Sequence, residues 1–343
     1  MTAPPITGRL RGNRPATENS TQPVQPERRT TLRRFALPLV LALLAVLLAA
    51  SGCGGSSSNK SSASTGAAPA APSSGSQSAE LFSGSLAAVQ GVKSAHYALD
   101  ASVTIKASAQ NANPQLAAFT KGPITVHFEG DASSKAFTAD GSVGFAGQSF
   151  VGKLLLGEHE AYLNLLGQWY GSKSFGLADA QTKGAQSAGT STQSIAKIRG
   201  QVDKVLTGDV SDGPETDGVA TTKWEGTLNV DGIVALSKEL GGKEIPAADL
   251  DKLRIVAGAT KIVALVGKDD KLPRRFEFHL ALSGDDLAKL GGTGSLAGVD
   301  SLSVDLTIDL SDYGKQVSFD APAQFQPFSQ LLGAFGGLAG AGG

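Results

Sequence analysis

Cysteine occurs once in 343 residues, methionine once, tryptophan twice, and histidine only at four positions. A single cysteine excludes an internal disulfide, and there is no CxxC pair for zinc or redox chemistry. There is no GxSxG nucleophile elbow, no GxxxxGK phosphate loop and no HExxH pair. The histidines His96, His127, His159 and His279 fall at strand edges or on polar faces, without metal-ligand spacing to one another or to a carboxylate, and read as solvated imidazoles. Charge is also scarce, at 18% of residues, with a formal net charge of -1. Residues 1–52 carry Arg9, Arg11, Arg14, Arg28, Arg29, Arg33 and Arg34 against Glu18 and Glu27, so the remainder is mildly acidic. A body without a Lys/Arg block lacks the electrostatic footprint of a nucleic-acid binder. No catalytic residue, metal or cofactor is implied, and the chain reads as a non-enzyme.

What is present begins with an apolar run. Arg33 and Arg34 precede the uncharged stretch Phe35 to Ala50, which is followed by Ser51, Gly52 and Cys53. Basic, apolar and small-residue regions in that order describe a secretory signal with its cleavage site. The run is shorter than the roughly 20 residues a spanning helix needs, so cleavage is expected rather than a permanent span. Ala50-Ser51-Gly52-Cys53 resembles the bacterial lipobox, in which the cysteine is acylated and becomes the first mature residue. The organisation expected is a leader and lipoprotein signal over 1–52, a Gly/Ser/Ala/Pro-rich tether over 53–78, a folded domain over 79–328 and an apolar Gly-rich tail over 329–343. The expected location is the extracytoplasmic face of the cell membrane, held by acylated Cys53.

Within the domain, Leu81, Leu86, Val89 and Val92 suggest a first helix over Ala79 to Lys93. The period then changes to two. Tyr97, Leu99, Ala101, Val103 and Ile105 alternate with polar residues, as do Ile124, Val126 and Phe128. Three further strands are expected, over Lys135 to Phe145, Gln148 to Gly157 and Glu160 to Gly171, forming a five-strand meander with one apolar face to cover. Ile195, Ile198, Val202 and Val205 mark a helix able to cover it. A strand pair over Gly208 to Val230, helices over Asp231 to Leu240 and from Ile245-Pro246, and a hairpin with Phe276 and Phe278 on one face follow. Leu302, Val304, Leu306, Ile308 and Leu310 give the clearest alternation, and KQVSFDAP, Lys315 to Pro322, reads as a last strand. The fold class is therefore α+β, a curled antiparallel sheet with helices on its concave side. About ten strands and four helices are expected.

Strands four and five carry apolar residues on both alternate sets, Phe150, Leu154 and Leu156 against Val151 and Leu155. Both faces there must avoid water. One reading is an ordinary two-layer core; the other is a ligand pocket, concave, mostly apolar and lightly marked by polar groups.

Trp169-Tyr170 after a strand, the turn Asp212-Gly213-Pro214-Glu215-Thr216-Asp217-Gly218-Val219, and Ser311-Asp312-Tyr313-Gly314 resemble, in order and spacing, the actinobacterial LppX/LprAFG lipoprotein family. That resemblance spans roughly Leu81 to Pro322. It implies a LolA-like half-barrel with helices in its concave side, enclosing acyl chains of lipids or glycolipids and ferrying them through the cell envelope, often beside an export pump. The candidate cavity-lining residues are Val126, Phe128, Phe137, Phe145, Leu154, Leu163, Phe276 and Phe278, with Trp169 and Trp224 near an opening. The alternative is a structural or regulatory envelope lipoprotein, its interior filled by its own side chains, acting through a protein partner.

Overall fold

The computed structural model describes residues 74–108, 119–179, 201–239, 244–291 and 298–331. Cys53, Ile195, Ile198 and residues 332–343 of the apolar tail lie outside them. Helix α1 (Ser74–Gln90) precedes a run of strands β1 (Ser94–Ala107), β2 (Ile124–Ser133), β3 (Phe137–Phe145), β4 (Gln148–Leu156), β5 (Ala161–Leu165) and β6 (Gln168–Ser172). After a single helical turn α2 (Val202–Val205) come β7 (Leu206–Asp212), β8 (Thr221–Leu228), α3 (Val230–Glu239), α4 (Ala247–Gly258), β9 (Thr260–Gly267) and β10 (Pro273–Ser283). The short α5 (Gly284–Lys289), β11 (Val299–Ser311) and β12 (Gln326–Pro327) complete the order.

All twelve strands join one sheet in the order β12-β6-β5-β4-β3-β2-β1-β11-β10-β9-β8-β7. It is a large, curled, unclosed sheet, antiparallel throughout except where β12 pairs parallel with β6. Strands β1 and β11 pair from His96–Ser311 through Ile105–Leu302, which joins the two halves of the chain. Their strict alternation produces this: any slip by one residue turns Leu99, Ile308 and Phe276 to the wrong side.

Several expected elements are placed differently. The expected strand Glu160 to Gly171 is two strands, because Leu166 and Gly167 take positive φ (52° and 85°) and close a two-residue hairpin. Helix α1 begins five residues before Ala79, inside the stretch expected as tether, and buried Ser78 and Leu81 hold its first turns against the sheet. Packing decides that boundary where Ser and Gly have poor helix propensity. The KQVSFDAP segment is not a strand. It crosses the sheet as irregular chain, and Phe319 and Phe325 pack on the ring of Tyr162, at centroid distances of 6.3 and 5.0 Å. Pro322 helps end any pairing there, since proline cannot donate to a ladder. Helix α5 carried no periodic signal; Ser283 and Asp286 form a capping box that starts it.

Candidate functional site

Register carries one alternate set of apolar side chains from each long strand to a common face. A continuous row runs Val210, Trp224, Ala264, Phe276, Ile308, Leu99, Phe128, Gly141, Gly152, Leu165. The next runs Ile262, Phe278, Leu306, Ala101, Val126, Val143, Phe150. A third contains Leu154 and Leu163, and Phe137 pairs with Leu156 on the same side. Nine of the ten candidate residues, Val126, Phe128, Phe137, Phe145, Leu154, Leu163, Trp224, Phe276 and Phe278, therefore share this face. Trp169 does not. It pairs with Asn164 in the row of Lys153, Asp140 and Glu129, on the opposite face.

Helices cover the apolar face at two places in the β7–β11 half of the sheet. At the β7–β8 end Trp224 is fully buried, its ring edge-on to Phe82 of α1 at 5.2 Å, and its indole Nε1 donates to Ser78 Oγ at 3.2 Å. Trp224 is thus a docking post for α1. At the far ends of β10 and β11, Leu282, Leu287 of α5 and Val299 form a buried cluster with Ile105, Ile255 of α4 and Leu302 around it. On the neighbouring strands β1 to β5, Leu99, Val103, Val126, Phe128, Val143, Phe145, Leu154 and Leu163 are only half-buried, and Phe150 is 46% exposed. A core strand pair in an ordinary two-layer domain buries such residues, because water contact forfeits about 1.5–3 kcal/mol per large side chain. The face holds more apolar surface than the described helices cover.

The apolar doubling of β4 and β5 has a local cause. Leu155 pairs with Tyr162 on the second face, and both are buried there under Phe319 and Phe325. Burial, then the hydrogen bond to Glu160, pushes the Tyr162 hydroxyl up to about 12. Tyr97 and Tyr313 are pushed above their ordinary range, chiefly by burial; their hydroxyls donate to the carbonyls of Thr138 (2.9 Å) and Pro273. Beside this patch a half-open cavity of about 310 Å³ is lined by His96, Asp131, Asp140, Lys153, Ser318 and Asp320 among others. It is polar and does not touch the apolar rows.

Three of the four histidines meet carboxylates that only register reveals. His127 Nδ1 lies 2.7 Å from Asp100, His96 Nδ1 3.0 Å from Asp131, and His279 contacts Asp305, each pair directly opposite across two strands. Their sequence separations, 27, 35 and 26 residues, show why spacing rules miss them. Asp100, His127 and Ser142 share one row, the residue types of a hydrolytic triad. No hydrogen bond joins Ser142 to the imidazole, and the pair is exposed, so the serine is not activated as that chemistry requires. Among the described residues no group of three or more His, Cys, Asp or Glu is placed to hold a metal ion.

The motifs that carry the family resemblance are structural. Asp217 and Gly218 take positive φ (51° and 75°) at the tip of a tight turn closed by the Thr216–Val219 bridge. In Ser311 to Gly314, the Tyr313 ring receives the Arg274 guanidinium at 5.2 Å.

These features define a large open-sheet α+β protein with an incompletely covered apolar face. No family model matches the sequence, and no curated protein matches it. Among solved structures, the Mycobacterium tuberculosis lipoprotein LppX is 16% identical, with 71% of this chain and 97% of that one covered and a TM-score of 0.34. LprF from Mycobacterium bovis is 15% identical, with coverage of 73% and 98% and a TM-score of 0.36. A DUF1329 family protein from Desulfovibrio piger is 10% identical, with coverage of 72% and 96% and a TM-score of 0.21. The first two bear names from the group that the sequence resembles, and the likeness is one of fold at low identity. With every TM-score below 0.5, the functional reading rests on the geometry of this chain.

Proposed function

We propose that the protein is an envelope lipoprotein, anchored at the outer face of the cell membrane through acylated Cys53, that binds acyl chains of lipids or glycolipids on the apolar face of its sheet and carries them between membrane and envelope. One observation carries this reading: the half-buried band from Leu99 through Phe128 to Leu154 and Leu163, on the part of the apolar face beyond the helix-covered strands β7, β8, β10 and β11. In this reading the band is the concave side of the curl, and the helices cover the neighbouring part of that side. Each methylene removed from water stabilises by about 0.8 kcal/mol, so two acyl chains along such a band bind without any catalytic group. Chemistry is not required of the site, and the exposed His–Asp pairs of the other face belong to surface electrostatics. Among the described residues no helix is long and apolar enough to cross a membrane. An export pump is a suitable partner for a carrier of this kind, supplying lipid or receiving it.

The test is thermal unfolding of delipidated protein with and without diacyl lipids. A saturable rise in Tm with a diacyl lipid, absent with its headgroup alone, is expected, since a ligand that binds only the folded state stabilises by mass action. No rise with any acyl lipid refutes the reading and favours a lipoprotein that works through a protein partner.

A further inference from the structure

The large apolar side chains most exposed among the described residues are Phe119 (38%), Phe150 (46%), Val151 (60%) and Leu166 (79%), and they are not scattered. Strands β1 to β6 form an antiparallel meander, so the approach to β2, the β3–β4 turn and the β5–β6 turn all lie at the same end of the sheet. Phe119 precedes β2 and meets Phe145 of the β3–β4 hairpin edge-on at 5.2 Å. Phe150 and Val151 open β4. Leu166 stands one step beyond the Gly152–Leu165 pair, where the next residue of β4 is Val151.

Three features separate this rim from an ordinary unfinished core. Apolar groups project from both faces and from the tip: Phe150 lies in an apolar-face row, Val151 pairs with Ser142 on the polar face, and Leu166 is in the turn. A packing partner laid on one face covers only one set. Second, Leu166 occupies a left-handed position (φ 52°) of a two-residue turn, where Asn, Asp or Gly are the relaxed choices. A leucine held there and 79% exposed carries both a backbone and a solvation cost, the kind of outlier that marks a functional contact. Third, residues 119–128, 141–152 and 161–172 contain Lys121 and no Asp or Glu, whereas farther down the same strands Lys153 pairs with Asp140 at 2.9 Å and the polar face carries Asp100, Glu129 and Asp131. A rim that is apolar on both sides, carboxylate-free and weakly basic suits the interface of an anionic bilayer, into which apolar tips insert while basic groups meet phosphates.

We infer that this rim, with Leu166, Val151, Phe150 and Phe119 at its crest, is a bilayer-docking edge that dips into the membrane interface. The inference does not depend on lipid carriage, because it concerns contact with a bilayer surface and not occupancy of the apolar band.

Cys53 is the only cysteine, so the full chain with Cys53→Ser accepts a single label elsewhere. An environment-sensitive fluorophore is attached through Leu166→Cys, and separately through Ser134→Cys in the β2–β3 turn at the opposite end of the sheet. With vesicles of phosphatidylcholine and phosphatidylglycerol, the Leu166 label is expected to shift to the blue and to be quenched by lipids brominated on their acyl chains, while the Ser134 label does neither. Phe150→Asp in the Leu166-labelled protein is expected to abolish the shift with far-UV circular dichroism unchanged. A Leu166 label that stays in water, or two labels that respond alike, overturns the proposal. A blue shift that grows with protein concentration in the absence of vesicles overturns it too, by assigning the rim to a second copy of the chain.

Discussion

Trp224 offers the sharpest perturbation of the packing that shapes the apolar face. Its side chain has no exposure to solvent, packs edge-on against Phe82 and donates to Ser78, so it connects β8 to α1 at two positions one turn apart. Trp224→Ala removes the transfer energy and leaves a cavity, together about 3–5 kcal/mol. Within that, the aromatic pair contributes about 0.5–1.5 kcal/mol and the hydrogen bond about 0.5–1.5 kcal/mol. Trp224→Phe retains most of the buried area and the ring pair, and is expected to cost only about 1–2 kcal/mol. Urea unfolding followed by far-UV circular dichroism measures both, and the slope with denaturant should not change, since the surface exposed on unfolding is nearly the same. Limited proteolysis adds a local readout: cleavage within residues 74–90 should accelerate in Trp224→Ala, as α1 loses its post. A cost below about 1 kcal/mol for Trp224→Ala, in the range of an ordinary surface change, refutes the view that α1 is docked through this residue.

Gly141 lies in an apolar-face row where a Cβ would sit 2.1 Å from the His127 carbonyl oxygen and 2.3 Å from Cδ1 of Phe128; Gly141→Ala should destabilise by about 1–3 kcal/mol in the same unfolding assay. Glu225 is held at about 2, first by its bond to Lys223 and then by Lys261 at 2.6 Å, well below its ordinary 4.5. Its folded form binds the proton less readily than the unfolded one, so the stabilisation is complete above 4.5 and is lost as pH falls toward about 2. Glu225→Gln should therefore differ from the parent at neutral pH and converge with it in acid; because the carboxylate is 35% exposed, added salt should also narrow the difference. Cys53→Ser should move the protein from the membrane to the soluble fraction of its host and remove acyl mass from the intact-mass spectrum, and unchanged fractionation contradicts acylation at that residue.

The alternating strands were legible because β1, β10 and β11 each carry an unbroken period of two, and a sheet buried mainly on one side leaves no other way to place Leu99, Phe276 or Ile308. Nine of ten candidate residues reach one face for the same reason. Trp169 escaped because β4, β5 and β6 are apolar on both faces, so periodicity assigns no inside; its face is set by the Leu166–Gly167 turn, whose first residue is not the Asn or Gly that announces such a turn. The Lys315 to Pro322 segment mimicked a strand through Val317 and Phe319. Its Phe319 instead joins Phe325 over Tyr162, a tertiary contact across more than 150 residues that no local pattern contains. The His–Asp pairs were invisible for a related cause, since only the register of β1 with β2 and β10 with β11 brings them together.

Organic-solvent extraction of natively purified protein, followed by mass spectrometry of the extract, bears most directly on what the half-buried band is for. Acyl lipid recovered in near-stoichiometric amount, and lost from a variant with Val126→Asp and Phe128→Asp that still folds, is the outcome expected of a carrier. An extract free of lipid, the covalent anchor on Cys53 staying with the protein, contradicts it.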